Sequence, residues 1–254
     1  MKFELITLFP GYFEQSLKQS LLGKALEKKL FDIDILNLRD FTADKHRTVD
    51  DTPYGGGGGM VLKMEPIDRI LKHLGYKHRG SDGPPDEKNR IILTSAAGRC
   101  FDQPMAVRYS LGERLTIICG HYLGVDERLL ELYEIDEVSV GDYILTGGEP
   151  AAAVMVDAVA RLIPKVLGNF ESALGDSHME GILGTPCYTR PAVYENIEVP
   201  EVIMSGDHKQ IKKFRRSEAF KKCLKNRPDL LDDADLSDEE RARVNEIGNG
   251  DDDK

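Results

Sequence analysis

The chain has 254 residues, 41% of them hydrophobic and 31% charged, an ordinary balance for one large or two modest globular domains. The longest nearly apolar run, Pro150–Val156, is far too short for a membrane span. The net charge of −10 hides a split: residues 209–227 carry nine Lys and Arg against Glu218 alone, whereas 229–254 carry eleven acidic side chains and three basic ones. A dense basic segment can bind a polyanion locally whatever the whole-chain sign. Cys100, Cys119, Cys187 and Cys223 lie far apart with no C-x-x-C, which points to reduced thiols rather than a disulfide framework or a zinc site. The opening Met1–Leu5 reads as a strand, and a cytoplasmic protein without membrane association is expected.

In chain order, Phe3–Leu8 predicts a strand and 12–29 a helix. Phe31-Asp32-Ile33-Asp34-Ile35 alternates like a half-buried strand. A long loop, Thr42–Met60, ends in Tyr54 and five glycines, Gly55, Gly56, Gly57, Gly58 and Gly59. A helix over 65–75 precedes a solvated loop, Ser81–Asn89. Three further strands, Arg90–Thr94, Leu115–Cys119 and Glu137–Val140, alternate with helices over 102–110, 126–133 and 149–163. Such alternation predicts an α/β layer with a mostly parallel sheet flanked by helices. Ligands bind such sheets beyond the carboxyl ends of the strands, where the loops Ser95–Arg99, Gly120–Gly124 and Thr146–Glu149 fall. Past a boundary near 165–175 the pattern turns helical, over 207–225, 229–233 and from Ser237, which with Glu240 fits a capping box. The tail Asp251–Lys254 reads as solvating sequence.

The glycine run offers no G-x-G-x-x-G, because Met60 and Val61 occupy the third positions, and no Gly-Lys-Ser/Thr follows it. No dense metal constellation appears. If the basic segment is helical, Lys209, Lys212, Lys213 and Arg216 share one face and Ile211 and Phe214 the other, as in a helix docked by its apolar side with cations free for phosphates. Taken alone, Val140–Leu145 reads as a buried strand end and Arg161 as the i+4 ion-pair partner of Asp157. Asp176, before a Ser177/Glu180 capping box, reads as a helix-entry residue.

Taken together, Cys119–Arg128 (CGHYLGVDER), Val140–Glu149 (VGDYILTGGE), Tyr188-Thr189-Arg190-Pro191, Asp51-Thr52-Pro53-Tyr54 and Ser205-Gly206-Asp207-His208 are far more specific. In this order the chain resembles the bacterial tRNA (guanine-37-N1) methyltransferases, the TrmD family of the SPOUT superfamily, from Met1 to about Arg243. The resemblance implies a trefoil-knotted α/β domain over 1–164 that binds S-adenosylmethionine. It also implies an interdomain linker over 165–180 and a small helical tRNA-binding domain over 181–254 with an acidic tail. The implied partners are a tRNA with guanosine at position 37 and a second copy of the chain, in a homodimer with shared active sites. The implied donor pocket comprises Thr94, Ser95, Ala96, Gly120, Tyr122, Val140, Gly141, Asp142, Tyr143, Ile144, Leu145, Gly147 and Gly148. Asp176 aligns with the family's general base and Arg161 with its catalytic arginine. RNA contacts are expected from Tyr54, Gly55–Gly59, Tyr188, Thr189, Arg190, His208, Lys209, Lys212, Lys213 and Arg216. Cys119 reads as a small buried residue at a strand end and His121 as a loop residue at the donor pocket.

Two positions depart from the family. Leu123 stands where it has a Glu linked to magnesium, so the resemblance carries no magnesium role to that position. Gly184 stands where an acidic residue often helps to recognise guanine. Smaller departures are Ala96-Ala97 and Phe214. The alternative functions are a ribose 2′-O-methyltransferase of the same superfamily and a catalytically weak RNA-binding protein.

Overall fold

The most apolar runs of the sequence become the middle of one parallel sheet. A computed structural model describes residues 1–81, 86–168 and 175–250. Residues 82–85 of the expected surface loop, 169–174 of the expected linker and 251–254 of the tail lie outside them. The strands of the first part are β1 (Lys2–Thr7), β2 (Asp32–Asn37), β3 (Asp50–Asp51), β4 (Val61–Leu62), β5 (Asn89–Cys100), β6 (Arg114–Cys119) and β7 (Ile135–Ser139). Five of them form the sheet, in the order β2-β1-β6-β5-β7, and every neighbouring pair is parallel. The helices are α1 (Gly11–Ser16), α2 (Ser20–Glu27), α3 (Met64–His73), α4 (Gln103–Ser110), α5 (Arg128–Leu132) and α6 (Glu149–Ala160).

Burial on both faces explains why β1, β5 and β6 read as continuous apolar runs. Ile6, Ile91, Leu93 and Ile118 pack with Ile67, Ile70 and Leu71 of α3 and with Leu129 of α5 in one core. Helix α6 packs on β1 and β6 from the other face, flanked by α1 and α4.

Two expectations for the elements of this first part are corrected. The helix over 12–29 is two helices, with Ser20 at φ 56° opening the second and Gly23 seated on the Lys18 carbonyl, where no side chain fits. The expected loop 95–99 lies inside β5: its register against β7 shifts between Thr94 and Arg99, and Arg99 and Cys100 resume pairing with Val138 and Ser139. Gly98 allows this, because a Cβ there would strike the backbone of Glu137 and Val138.

Asp68 ties α3 to the rest of this core. Its carboxylate accepts hydrogen bonds of 2.8 Å from Tyr133 Oη and Lys72 Nζ and pairs with His78 Nε2 at 2.8 Å. Burial pushes its pKa up, but the contacts from His78, Lys72 and Tyr133 outweigh that and hold it at about 2, below the usual 3.8. A depressed pKa contributes stability above the unfolded value and loses it as pH falls towards the folded one. Asp68→Asn is therefore expected to cost about 2 kcal/mol at neutral pH, with the difference shrinking between about pH 4 and pH 2. Urea unfolding of both proteins across that range checks it; a gap independent of pH would assign the loss to packing.

The chain divides into two compact units, residues 1–168 and 169–254. The described part of the second holds a hairpin of β8 (Val193–Tyr194) and β9 (Ile197–Glu198), then α7 (Glu201–Met204), α8 (His208–Asn226), α9 (Asp229–Asp233) and α10 (Asp238–Gly248). The Ser237/Glu240 capping box starts α10. Ile182, Ala219, Phe220, Cys223, Leu231, Ala234 and Leu236 form this unit's core.

The face assignment of α8 is corrected. In its first half Ile211 and Phe214 are half-buried, as expected, but in its second half the docked stripe is Ala219, Phe220 and Cys223, which follow Arg216 at i+3, i+4 and i+7. Arg216 belongs to the docked half. Its guanidinium bonds Glu240 at 2.7 Å and Glu180 at 2.9 Å and lies 5.2 Å from the Phe220 ring centroid. Lys209, Lys212 and Lys213 remain exposed on the first half of the helix. The capping-box reading at Ser177 is corrected too: Ser177 Oγ accepts from Gly184 N, and Glu180 is spent on Arg216.

Candidate active site

Three loops leave neighbouring strands at their carboxyl ends and meet. Thr94 closes the regular part of β5, and its Oγ1 donates to the Ile118 carbonyl and accepts from Gly120 N at 2.9 Å. Gly148 N donates to the Gly120 carbonyl at 2.7 Å, and His121 bridges Gly147 in antiparallel fashion. The contact is so close that a Cβ on Gly148 would collide with Thr94 Oγ1, which is why glycine occupies this turn.

Between these loops lies a cavity of about 540 Å³, within the range of small-molecule sites. Of the expected donor residues, Thr94, Ser95, Ala96, Gly120, Tyr122, Val140, Gly141, Tyr143, Ile144, Leu145, Gly147 and Gly148 line it; Asp142 does not. The reading of Val140–Leu145 as a buried strand end is corrected: β7 stops at Ser139, and Tyr143, Ile144 and Leu145 are exposed on the loop beyond. Gly141, at φ 152°, makes the bend after β7.

The lining also contains His121, Leu123, Glu127 and Glu137 and, among the described residues, no lysine or arginine. Periodicity had no means of finding Glu127 and Glu137, which sit on different elements and converge only in the fold. Cys119 is buried at the end of β6, and burial, with the nearby Glu149 carboxylate, pushes its thiol well above the usual value.

Only the end of the glycine run is held at the rim of this cavity. Leu123 N donates to the Met60 carbonyl, Leu62 N to Gly124 and Asp126 N to Leu62, clamping the segment after the glycines onto 123–126. Gly59 abuts the Leu123 side chain, and Tyr54 stands fully exposed before the run. Arg161 caps the carboxyl end of α6, with its N–H bonded to the Asp157 carbonyl. Asp176 lies in a turn of the second unit, and its carbonyl accepts from Met179 N. Neither is among the cavity's lining residues. Tyr188, Thr189 and Arg190 are exposed ahead of the hairpin. His208 opens α8 beside the capping Asp207.

Among the described residues no cluster of His, Cys, Asp and Glu is arranged to hold a metal, and no helix is long and apolar enough to cross a membrane.

A parallel sheet with a glycine-walled cavity at its carboxyl ends places the chain among the α/β proteins, whose ligand sites lie at that edge. The family described as tRNA (Guanine-1)-methyltransferase TrmD matches residues 1–233. Relatives named tRNA (guanine-N(1)-)-methyltransferase from Geotalea uraniireducens, Dehalococcoides mccartyi and Desulforamulus reducens are 47%, 46% and 45% identical to the chain. The alignments cover 97%, 97% and 98% of this chain and 97%, 97% and 96% of the relatives. The chain belongs to the TrmD family of tRNA (guanine-1)-methyltransferases.

Proposed function

We propose that this chain transfers a methyl group from S-adenosylmethionine to N1 of guanosine 37 in tRNA. The observation that carries the reading is the cavity, built from the glycine loops of the family's motifs and lined, among the described residues, with the carboxylates of Glu127 and Glu137 and no lysine or arginine. That lining suits a positively charged donor and disfavours a phosphate-bearing cofactor. Val140, Ile144 and Leu145 offer apolar walls to a flat ring, while backbone N–H and C=O groups of the glycine turns supply its polar partners. S-adenosylmethionine supplies an electrophilic methyl group on a sulfonium sulfur.

The chain's own residues prepare the acceptor. Guanine N1 holds its proton at neutral pH, so a base must take it, and Asp176 fills that role. Negative charge then grows on O6, and the Arg161 guanidinium stabilises it. The Leu123 side chain offers no oxygen to a metal ion, so no magnesium role is assigned to that side chain. The glycine run and Tyr54 approach the target base, and Tyr188–Arg190 and the basic half of α8 meet the RNA. The knot of the family fits the way the loop after β7 tucks against Gly120 and Gly148 packs on the chain leaving β6.

Incubation of the protein with S-adenosylmethionine and unmodified tRNA, followed by mass spectrometry of the nucleosides, tests the reading. 1-Methylguanosine is expected, and it should vanish when guanosine 37 is replaced. A ribose-methylated nucleoside, or no product, would overturn it.

The RNA contact has a separate expected outcome. Reversing Lys209, Lys212 and Lys213 to Glu should lower the slope of log affinity against log salt by up to about 3, because fewer counterions are released. Donor affinity should not move. Arg216 is left intact, since its loss would break the tie to Glu180 and Glu240. An unchanged slope would show that this half of α8 does not meet phosphate.

A further inference from the structure

The carboxylate of Glu149 takes no part in the chemistry above. It is only 4% exposed, in the first turn of α6, directly behind the cavity wall. Its Oε1 accepts a hydrogen bond of 2.7 Å from Thr7 Oγ1, at the carboxyl end of β1. Its Oε2 presses against Gly147, which lines the cavity: a Cβ on that glycine would lie 2.6 Å from this oxygen and 2.7 Å from His121 Nδ1. Thr7 hydroxyl is the one hydrogen-bond donor to the carboxylate among the described residues, and no lysine or arginine pairs with it there. Among the described residues the cavity wall in front of it carries no lysine or arginine either. The remaining compensation is partial, from the N-terminus of α6. Across Gly147, His121 Nδ1 is buried without a hydrogen-bond partner among the described residues. A charge held away from solvent behind a glycine wall is weakly screened and acts across several ångströms.

We infer that Glu149 is a specificity-determining residue, whose carboxylate makes the pocket favour a cationic donor over the neutral product that remains once the methyl group has gone. The inference rests on the donor-pocket reading. Donor and product share their shape and differ by one charge at sulfur, so contacts that recognise adenine or ribose hold both alike. A buried carboxylate separates the two, and product then leaves a site that no longer attracts it. Glu127 and Glu137 add to the same sign, but Glu127 is exposed and Glu137 half-buried, and solvent screens them more.

Calorimetric titration of the intact protein with S-adenosylmethionine and with S-adenosylhomocysteine tests this. Glu149→Gln keeps the shape and the acceptor for Thr7, and should shift the ratio of the two affinities by about tenfold against the sulfonium ligand. Glu149→Asp keeps the charge and should keep the ratio. An unchanged ratio in Glu149→Gln, or an equal loss for both ligands, would overturn the inference and leave Glu149 a purely structural group. The wild-type protein offers a second measurement. An analogue with an ammonium group at the sulfonium position should bind about tenfold more tightly than its uncharged counterpart of the same shape. Equal affinities would overturn the inference. If neither S-adenosylmethionine nor S-adenosylhomocysteine binds the wild type, the donor reading fails first and this one with it.

Discussion

Replacing Asp176 by Asn is expected to slow methyl transfer in a single turnover by about 10²-fold or more, the scale of one acid–base group. Affinity for S-adenosylmethionine should not change, because Asp176 belongs to the second unit and not to the lining of the donor cavity. Asn keeps the shape of the side chain but is no useful proton acceptor near neutral pH, so the loss falls on N1 deprotonation. Arg161→Ala should give a loss of similar size for a different reason: the charge that builds on O6 loses its fixed cation. The two variants separate on raising the pH. Guanine N1 loses its own proton more often in alkaline solution, so Asp176→Asn should recover part of its rate, whereas Arg161→Ala should not. Rapid-quench measurements with saturating donor and tRNA read both effects. A near-normal rate for Asp176→Asn would remove the general-base role, and parallel pH profiles would show that the two residues act at one step.

How much of this was legible in the sequence depended on how local the cause was. Strands β1, β5 and β6 announce themselves because burial on both faces demands continuous apolar runs, and α10 because its capping box is a short-range pattern. The extension of β5 to Cys100 was not legible. It depends on Gly98 passing against the backbone of β7, a contact between residues about forty positions apart. Helix α8 misled for a related reason. Ile211 and Phe214 are the conspicuous apolar residues of its first half, but the stripe that docks runs through Ala219, Phe220 and Cys223 and takes Arg216 with it. Val140–Leu145 looked like core because an apolar run reads alike whether it is buried or walls a cavity. The family motifs point to the loops that line the cavity, and the structure adds what the motifs do not tell: the lining carries carboxylates, and Glu149 is buried behind it. In the sequence Glu149 is only an acidic residue at a helix start, where the helix dipole favours one anyway.

Mixing two inactive homodimers is expected to restore activity. Among the described residues, those that line the cavity all belong to the first unit, while Asp176 belongs to the second. Helix α6 hides most of its surface in the first unit, yet leaves Val154 52% exposed, and the neighbouring α1 region exposes Phe9 and Tyr12. Exposed apolar side chains on packed neighbouring helices are what a subunit interface covers. Our reading is that two copies associate there and that each donor pocket is served by Asp176 of the other copy. Gly141→Trp should block the pocket, because even a Cβ at this position would run into the Tyr143 ring. Asp176→Asn should remove the base and leave the pocket open. If the base acts across the dimer, a heterodimer of the two variants gathers both lesions at one site and leaves the other site whole. If the base acts within its own copy, each site keeps one lesion and neither works. Co-expression with two affinity tags, tandem purification and a methylation assay on the heterodimer distinguish the arrangements. A heterodimer as inactive as both parents would place Asp176 at its own subunit's pocket and end the shared-site reading.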